Sequence, residues 1–341
     1  MKRWPRIVLI AVVILFIGLA LAAIKIFGLR TFIGPKARPL TDRKFESTPV
    51  RLARGKYLVE GALGCMDCHS PHDWSKPDAA IPAGMAGTGD VQPFAGLPGR
   101  IVAPNITPDQ ETGIGNWTDD MVARAIREGI GHDGRALFPL MPYQIFRYLP
   151  DEDLASVVVY LRSLPPVKNP LPPTQIDFPV KYLIRNAPEP ITSPVPEPSF
   201  SNQVQKGEYL VRRSGCGDCH TPVNSHGQRI PGMELSGGQM FEGPWGKVAS
   251  QNLTPDPTGI PYYDQAMFIT VMRTGKVGPQ QLNPVMPWWV VRNLNDDDLS
   301  AMFAYLKSLK PVRHRVDNSL PPTLCPLDGT MHGGGNLNKT E

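Results

Sequence analysis

Beyond its first 44 residues the sequence has no cluster of lysine and arginine, and that absence excludes a class of partner. Residues 1–44 hold nine basic residues against one acid, whereas residues 45–341 hold 26 against 30. The body is slightly acidic despite an overall charge of +4. A nucleic acid, which needs a clustered basic face, is therefore not an expected partner. Long strand-like alternation is also missing. With 38 prolines and 32 glycines, the expected fold class is all-α, built of short helices separated by ordered loops that need something further to pack around.

The long apolar run is confined to the N-terminus. After Lys2, Arg3 and Arg6, an uninterrupted stretch extends from Ile7 to Ile24 and is closed by Lys25. As a helix it would reach roughly 27 Å, enough to cross a bilayer core. A retained transmembrane anchor is the preferred reading; its rival is a removable signal, for which Ala20-Leu21-Ala22 offers a small-residue cleavage site. Basic residues flank the run on both sides, so the positive-inside rule alone does not orient it.

The body is a duplication. Arg54-Gly-Lys-Tyr-Leu-Val-Glu-Gly-Ala-Leu-Gly-Cys-Met-Asp-Cys-His69 matches Lys206-Gly-Glu-Tyr-Leu-Val-Arg-Arg-Ser-Gly-Cys-Gly-Asp-Cys-His220. Asn105-Ile-Thr-Pro-Asp109 matches Asn252-Leu-Thr-Pro-Asp256, and Leu140-Met-Pro-Tyr143 matches Val285-Met-Pro-Trp288. Asp151-Glu-Asp-Leu154 with Tyr160-Leu-Arg-Ser-Leu164 matches Asp296-Asp-Asp-Leu299 with Tyr305-Leu-Lys-Ser-Leu309. The order is the same in both halves. The expected organisation is an anchor and juxtamembrane segment (1–46), a first repeat domain (47–168), a Pro-rich linker (169–200), a second repeat domain (201–315) and a flexible tail (316–341). The linker's prolines favour an extended, semi-rigid spacer.

Each half reads as an opening helix (51–61 and 203–213), a middle helix (119–129 and 264–275) and a closing helix starting at Asp151 or Asp296 and stopped at Pro165 or Pro311. A helical pair packed across a prosthetic group is expected.

Cys-x-x-Cys-His occurs at Cys65, Cys68 and His69 and again at Cys216, Cys219 and His220. Two thiols three positions apart lie on one side of a tight turn, within reach of the two vinyl groups of one haem, and the following His can face the iron. A thioredoxin-like pair or a structural zinc site would not require His directly after the second Cys in both copies. The sixth iron ligand is expected from the Met-Pro loops, at Met141 and Met286, because a thioether suits a low-spin iron. Met121 and Met267 sit at core-like helix positions, and Met66 lies inside the attachment turn, badly placed to reach around the ring. Asn105 and Asn252 are candidates to hold the loop or a propionate. Arg100 with Lys247, or Arg127 with Arg273, are candidates for propionates, as against solvated or structural roles. Trp117 and Tyr160 read as core packing, His132 as a loop residue, and Cys325, between tail prolines, as an unpaired, noncatalytic thiol.

This succession of motifs resembles the class I cytochrome c domains of bacterial multihaem cytochromes, most of all the cytochrome subunits that accompany periplasmic alcohol and gluconate dehydrogenases. The resemblance covers residues 47 to 315. It implies two covalently bound haem c groups at Cys65, Cys68, Cys216 and Cys219, with axial ligation by His69 and His220 and by Met141 and Met286 opposite. It also implies a periplasmic location, hence an inner-membrane anchor with the haem domains outside the cytoplasm. Those subunits usually carry three haems; two attachment motifs stand here, and the anchor is N-terminal. The leading expectation is an electron carrier, not an enzyme, in a respiratory chain. A dehydrogenase or quinol-oxidising complex would donate, and an oxidase or soluble cytochrome would accept. The alternative is a dihaem peroxidase-type enzyme with one open iron. A haem-based sensor ranks below both, since no signalling domain follows.

Overall fold

The computed structural model describes residues 4–224 and 227–333. Helix predominates, and every sheet among the described residues has only two strands. Contacts divide the chain into two compact units. One takes in the residues up to Lys44 with Trp117–Arg147 and Gln175–Pro194; the other takes in Phe45–Asn116, Tyr148–Thr174 and the residues from Val195 onward.

In the first unit the apolar run forms a helix, Trp4–Phe27. Its large side chains, Leu9, Phe16 and Leu21 among them, are exposed, and by length and composition it is long and apolar enough to cross a membrane. Gly28 turns the chain at φ 80°, and the Asn186 amide donates to Phe27 O (3.0 Å) and Thr31 Oγ1 (2.7 Å). Asn186 comes from two short helical turns, Val180–Leu183 and Ile184–Asn186. This part of the linker is therefore not the extended spacer expected from its prolines, because its apolar residues support local helical turns between them.

The middle helix Asp119–Glu128 starts at Thr118, whose side chain accepts from Met121 N, and ends at Gly129 in the left-handed region. A Cβ at Gly129 would lie 2.6 Å from the Tyr143 ring, so only glycine fits there. Arg38 forks onto Asp120 at 2.7 Å and reaches Glu128 at 2.8 Å. Burial opposes ionisation of Asp120, but the Arg38 fork and the Thr41 N–H outweigh it and hold the carboxyl at about 2.

In the second unit, each opening helix packs directly on its closing helix. Pro49–Tyr57 meets Asp151–Ser163, and Gln203–Arg213 meets Asp296–Ser308. Glycine permits the approach: a Cβ at Gly55 would lie 2.0 Å from Ser156 O, and one at Gly207 1.8 Å from Ala301 O. In each copy the helices in direct contact are the opening and the closing one. Bonds between Arg54 and Asp153 (2.6 Å) and between Lys206 and Asp298 (2.5 Å) lie on the equivalent faces. Leu58, Val59, Leu154 and Val158 fill one core, and Leu210, Val211, Leu299 and Met302 the other.

The opening helices differ in one respect. The first copy has one more residue before its first Cys, and a π turn at Leu58–Ala62 absorbs it. The second copy runs as regular helix to Arg213.

The segment expected as a flexible tail carries a hairpin, Pro322–Leu324 with Met331–Gly333, over buried Val316, Cys325 and His332. Asn318 closes on Ala249 with two 2.9 Å bonds. Residues 334–341 of that expected tail lie outside the described residues.

Candidate functional site

Both attachment segments belong to the second unit and have the same construction. Gly64 (φ 59°) and Gly215 (φ 69°) enter from the left-handed region, and single helical turns follow at Cys65–Cys68 and Cys216–His220. Gly64 O accepts from Asp67 N (3.0 Å), and Gly215 O from Asp218 N (2.9 Å). One helical turn sets the two sulfurs of each pair on a common side. All four are free, partly buried thiols. Burial pushes Cys65, Cys216 and Cys219 up to about 12 and Cys68 in the same direction, so all are neutral. The two turns are close enough to act on each other electrostatically: Cys219 helps to raise Cys68, and Asp67 helps to raise Cys219.

Each histidine is fixed by a backbone carbonyl. His69 Nδ1 lies 2.7 Å from Pro104 O and His220 Nδ1 lies 2.7 Å from Gln251 O. A carbonyl only accepts, so Nδ1 carries the proton and Nε2 presents its lone pair. Burial lowers both imidazoles despite these bonds, which keeps the rings neutral. The histidine carbonyls are matched as well: His69 O accepts from Gly89 N (2.8 Å) and His220 O from Gly237 N (2.7 Å).

The residues after those carbonyl anchors are Asn105 and Asn252. Asn105 Oδ1 accepts from Thr107 N and Oγ1, while its Nδ2 donates to Thr112 Oγ1 (3.0 Å) and Val167 O (2.7 Å). Asn252 repeats this with Thr254, Thr258 (3.1 Å) and Val312 O (2.8 Å), and adds His314 O (3.2 Å). Of the two roles expected for these asparagines, the structure supports the loop. Each ties the loop behind its histidine to the chain leaving the closing helix.

The Met-Pro loops share a turn: Met141 N donates to Phe138 O (3.1 Å) and Met286 N to Asn283 O (2.9 Å), and each carbonyl accepts from the N–H two residues on. Both methionines are partly buried. Met286 lies in the same unit as His220, whereas Met141 belongs to the first unit and His69 to the second.

The candidate cations have protein partners. Arg100 donates to Pro173 O, Lys247 lies 3.7 Å from Glu242, and Arg273 meets Asp296 at 2.5 Å. Arg127 is buried on the middle helix. Trp117 stacks on His132 at 4.4 Å, and Tyr160 donates to Glu60.

Sequence reasoning missed an aromatic seam in the second unit. His72 lies 5.0 Å from Trp74 and 4.9 Å from Trp289, and Trp245 lies 4.8 Å from Trp74 and 5.1 Å from Phe94. The indole nitrogens of Trp245, Trp288 and Trp289 are buried with no hydrogen-bond partner among the described residues. A buried donor without an acceptor marks a place where an acceptor belongs. Paired thiols, a neutral imidazole with Nε2 bare and orphaned donors nearby fit a covalently held haem with carboxylate side chains. The Trp288-Trp289 pair beside Met286-Pro287 was the available sequence signal.

No family model matches the chain. It is 30% identical over 266 residues to a dihaem cytochrome c-type protein of Cereibacter sphaeroides, covering 74% of this chain and 83% of that protein. It is 29% identical over 289 residues to the fructose dehydrogenase cytochrome subunit of Gluconobacter japonicus (80% of this chain, 56% of that one). Over 244 residues it is 32% identical to the cytochrome c subunit of the quinone alcohol dehydrogenase of Gluconobacter oxydans (65% and 50%). The chain spans about half the length of such dehydrogenase cytochrome subunits.

Proposed function

The chain belongs to the dihaem c-type cytochromes, and from that premise we propose that it is a membrane-anchored electron carrier with one haem c on each attachment turn. Cys65 and Cys68 hold one haem, and Cys216 and Cys219 the other. His69 and His220 ligate through Nε2, and Met141 and Met286 supply the sixth ligands. When bound, each haem supplies a one-electron ferric/ferrous couple, whose potential a thioether ligand raises.

The observation that carries this reading is the twice-built histidine: neutral, buried, with Nδ1 held by a carbonyl at 2.7 Å in both copies. Such a bond fixes the ring orientation and makes Nε2 a better donor. Because the Asn105 and Asn252 networks brace those carbonyl loops, little need move when the charge at the site changes. The adjacency of Cys68 and Cys219 supports transfer from one centre to the other.

The Trp4–Phe27 helix anchors the protein in a bacterial inner membrane with both haem domains in the periplasm. The similarity to subunits named for alcohol and fructose dehydrogenases favours a dehydrogenase as the electron donor, and an oxidase or soluble cytochrome receives the electrons.

The test is haem-to-protein stoichiometry with optical and electron paramagnetic spectroscopy on the purified full chain. Two low-spin haems with the near-infrared absorption of Met-ligated ferric iron are expected. A substantial high-spin population that binds peroxide or cyanide would overturn the carrier reading in favour of an enzyme with an open iron.

A further inference from the structure

Four buried side chains that take no part in the attachment turns converge at the end of the second unit. They are His314, just beyond the closing helix, and Cys325, Asp328 and His332 of the terminal hairpin. Their donor atoms all lie within 4.8 Å of one another. His314 Nε2 is 3.2 Å from His332 Nε2, 3.4 Å from Cys325 Sγ and 3.4 Å from Asp328 Oδ2, and His332 Nε2 is also 3.4 Å from that oxygen.

The protons place the lone pairs. His332 Nδ1 lies 3.0 Å from Gly333 O, and His314 Nδ1 lies 3.1 Å from Ser236 O. Both carbonyls accept from Nδ1–H, so in the neutral rings both Nε2 atoms direct lone pairs into the cluster. The first copy supports the tautomer of His314. Asn169 stands at the matching position: Asn169 N donates to Thr112 Oγ1 as His314 N does to Thr258 Oγ1, each at 3.0 Å. The Asn169 amide donates to Thr88 O (3.0 Å) where His314 Nδ1 meets Ser236 O. Histidine thus keeps the asparagine's hydrogen bond and adds an inward-facing nitrogen. Asp328 Oδ1 accepts from Thr330 N and Oγ1, whereas Oδ2 is buried and makes no hydrogen bond among the described residues.

Two imidazole lone pairs, a sulfur and a carboxylate oxygen at such distances call for a cation in their midst. In a tetrahedron with zinc bonds of about 2.0–2.1 Å to nitrogen or oxygen and about 2.3 Å to sulfur, the edges are about 3.3 and 3.5 Å. Four of the six separations, at 3.2–3.4 Å, match these edges, and all six lie within 4.8 Å.

We propose that His314, Cys325, Asp328 and His332 form a closed, four-ligand structural zinc site that fastens the terminal hairpin to the second attachment domain. Four protein donors leave no open position, which is the pattern of a structural rather than a catalytic zinc. Ser236, which holds His314, precedes Gly237, whose N–H binds the His220 carbonyl at 2.7 Å. Asn252, next to the carbonyl that fixes His220, donates to His314 O. The site therefore braces the same loops that hold the second histidine.

The experiment is metal analysis of the full-length purified protein grown with ample zinc, followed by zinc K-edge absorption spectroscopy. About one zinc per chain is expected, surrounded by one sulfur at about 2.3 Å and three nitrogen or oxygen atoms at about 2.0–2.1 Å. Cys325→Ser and His332→Ala are each expected to lower zinc content at least tenfold while both attachment turns still acquire haem. Zinc-free wild-type protein, a different metal, a zinc environment without sulfur, or undiminished zinc in both variants would each overturn the proposal. The spectrum needs only wild-type protein, so a variant that fails to fold does not remove the test. Zinc per chain is counted independently of haem, which separates this inference from the function proposed above.

Discussion

The two copies of the repeat agree in their hydrogen bonds more closely than in their residues. Asn105 and Asn252 brace equivalent loops, and Pro104 and Gln251 offer the same carbonyl to His69 and His220. Where they differ, one copy has acquired an attachment of its own. The first carries Asp120 and Glu128 on its middle helix, gripped by Arg38 of the segment that follows the N-terminal helix; the second has Ala266 and Thr274 at those positions. The second carries His314 and its hairpin partners; the first has Asn169. A duplicated sequence keeps the bonds that hold its histidine and varies the contacts made around them.

That comparison can be broken at several points. The largest effect is expected from Arg38→Met, which removes the forked ion pair from buried Asp120 and leaves it only the Thr41 hydrogen bonds and Arg43 at 3.9 Å, and should cost about 3 kcal/mol of unfolding free energy in denaturant titrations. Because the folded-state pKa of Asp120 lies below its unfolded value of about 3.9, its contribution is complete above that pH and disappears as pH falls toward 2. Acid titration should show that loss in the wild type and a shallower response in the variant.

Gly207→Ala should cost about 3 kcal/mol, since its Cβ would meet Ala301 O and the helices must separate. Gly55→Ala should match it in thermal unfolding, and a tolerated change in one copy alone would deny the shared crossing. Asn252→Ala and Asn105→Ala should each cost about 2 kcal/mol through unpaired loop groups, with the spectrum of only the corresponding haem altered. His314→Asn makes the second copy imitate the first, so in metal-free protein stability should change by less than about 1 kcal/mol. Deleting Leu63 should have the smallest effect: the π turn reverts to the regular helix of the second copy, covalent attachment persists by mass spectrometry, and the cost stays below about 1 kcal/mol.

Much of this was legible in the sequence because it is local. The closing helices run Asp151–Ser163 and Asp296–Ser308, as acids at the start and proline after the end indicate. The middle helices end at Gly129 and Gly275 in the left-handed region, as glycine at that place suggests. The attachment turns follow from five adjacent residues. What stayed hidden depends on distance along the chain. Arg38 and Asp120 are 82 residues apart, and no periodicity links them. His314 aligns with Asn169, and Cys325, Asp328 and His332 lie beyond the repeat, so the internal repeat that exposed the attachment turns was silent there. The Pro-rich stretch read as a spacer because prolines break long helices, yet the single turns at 180–186 fit between them.

The nearness of the two attachment turns has an electrical consequence. Groups on one turn sense the charge of the other at partly buried positions, where screening is weaker than in bulk water. Two haems carried there would not titrate independently. Removing an electron from either makes the second harder to remove, so centres with equal intrinsic potentials would appear as two separated waves. A donor would then meet a protein that takes its first electron readily and its second reluctantly, and that asymmetry would favour passing electrons on singly.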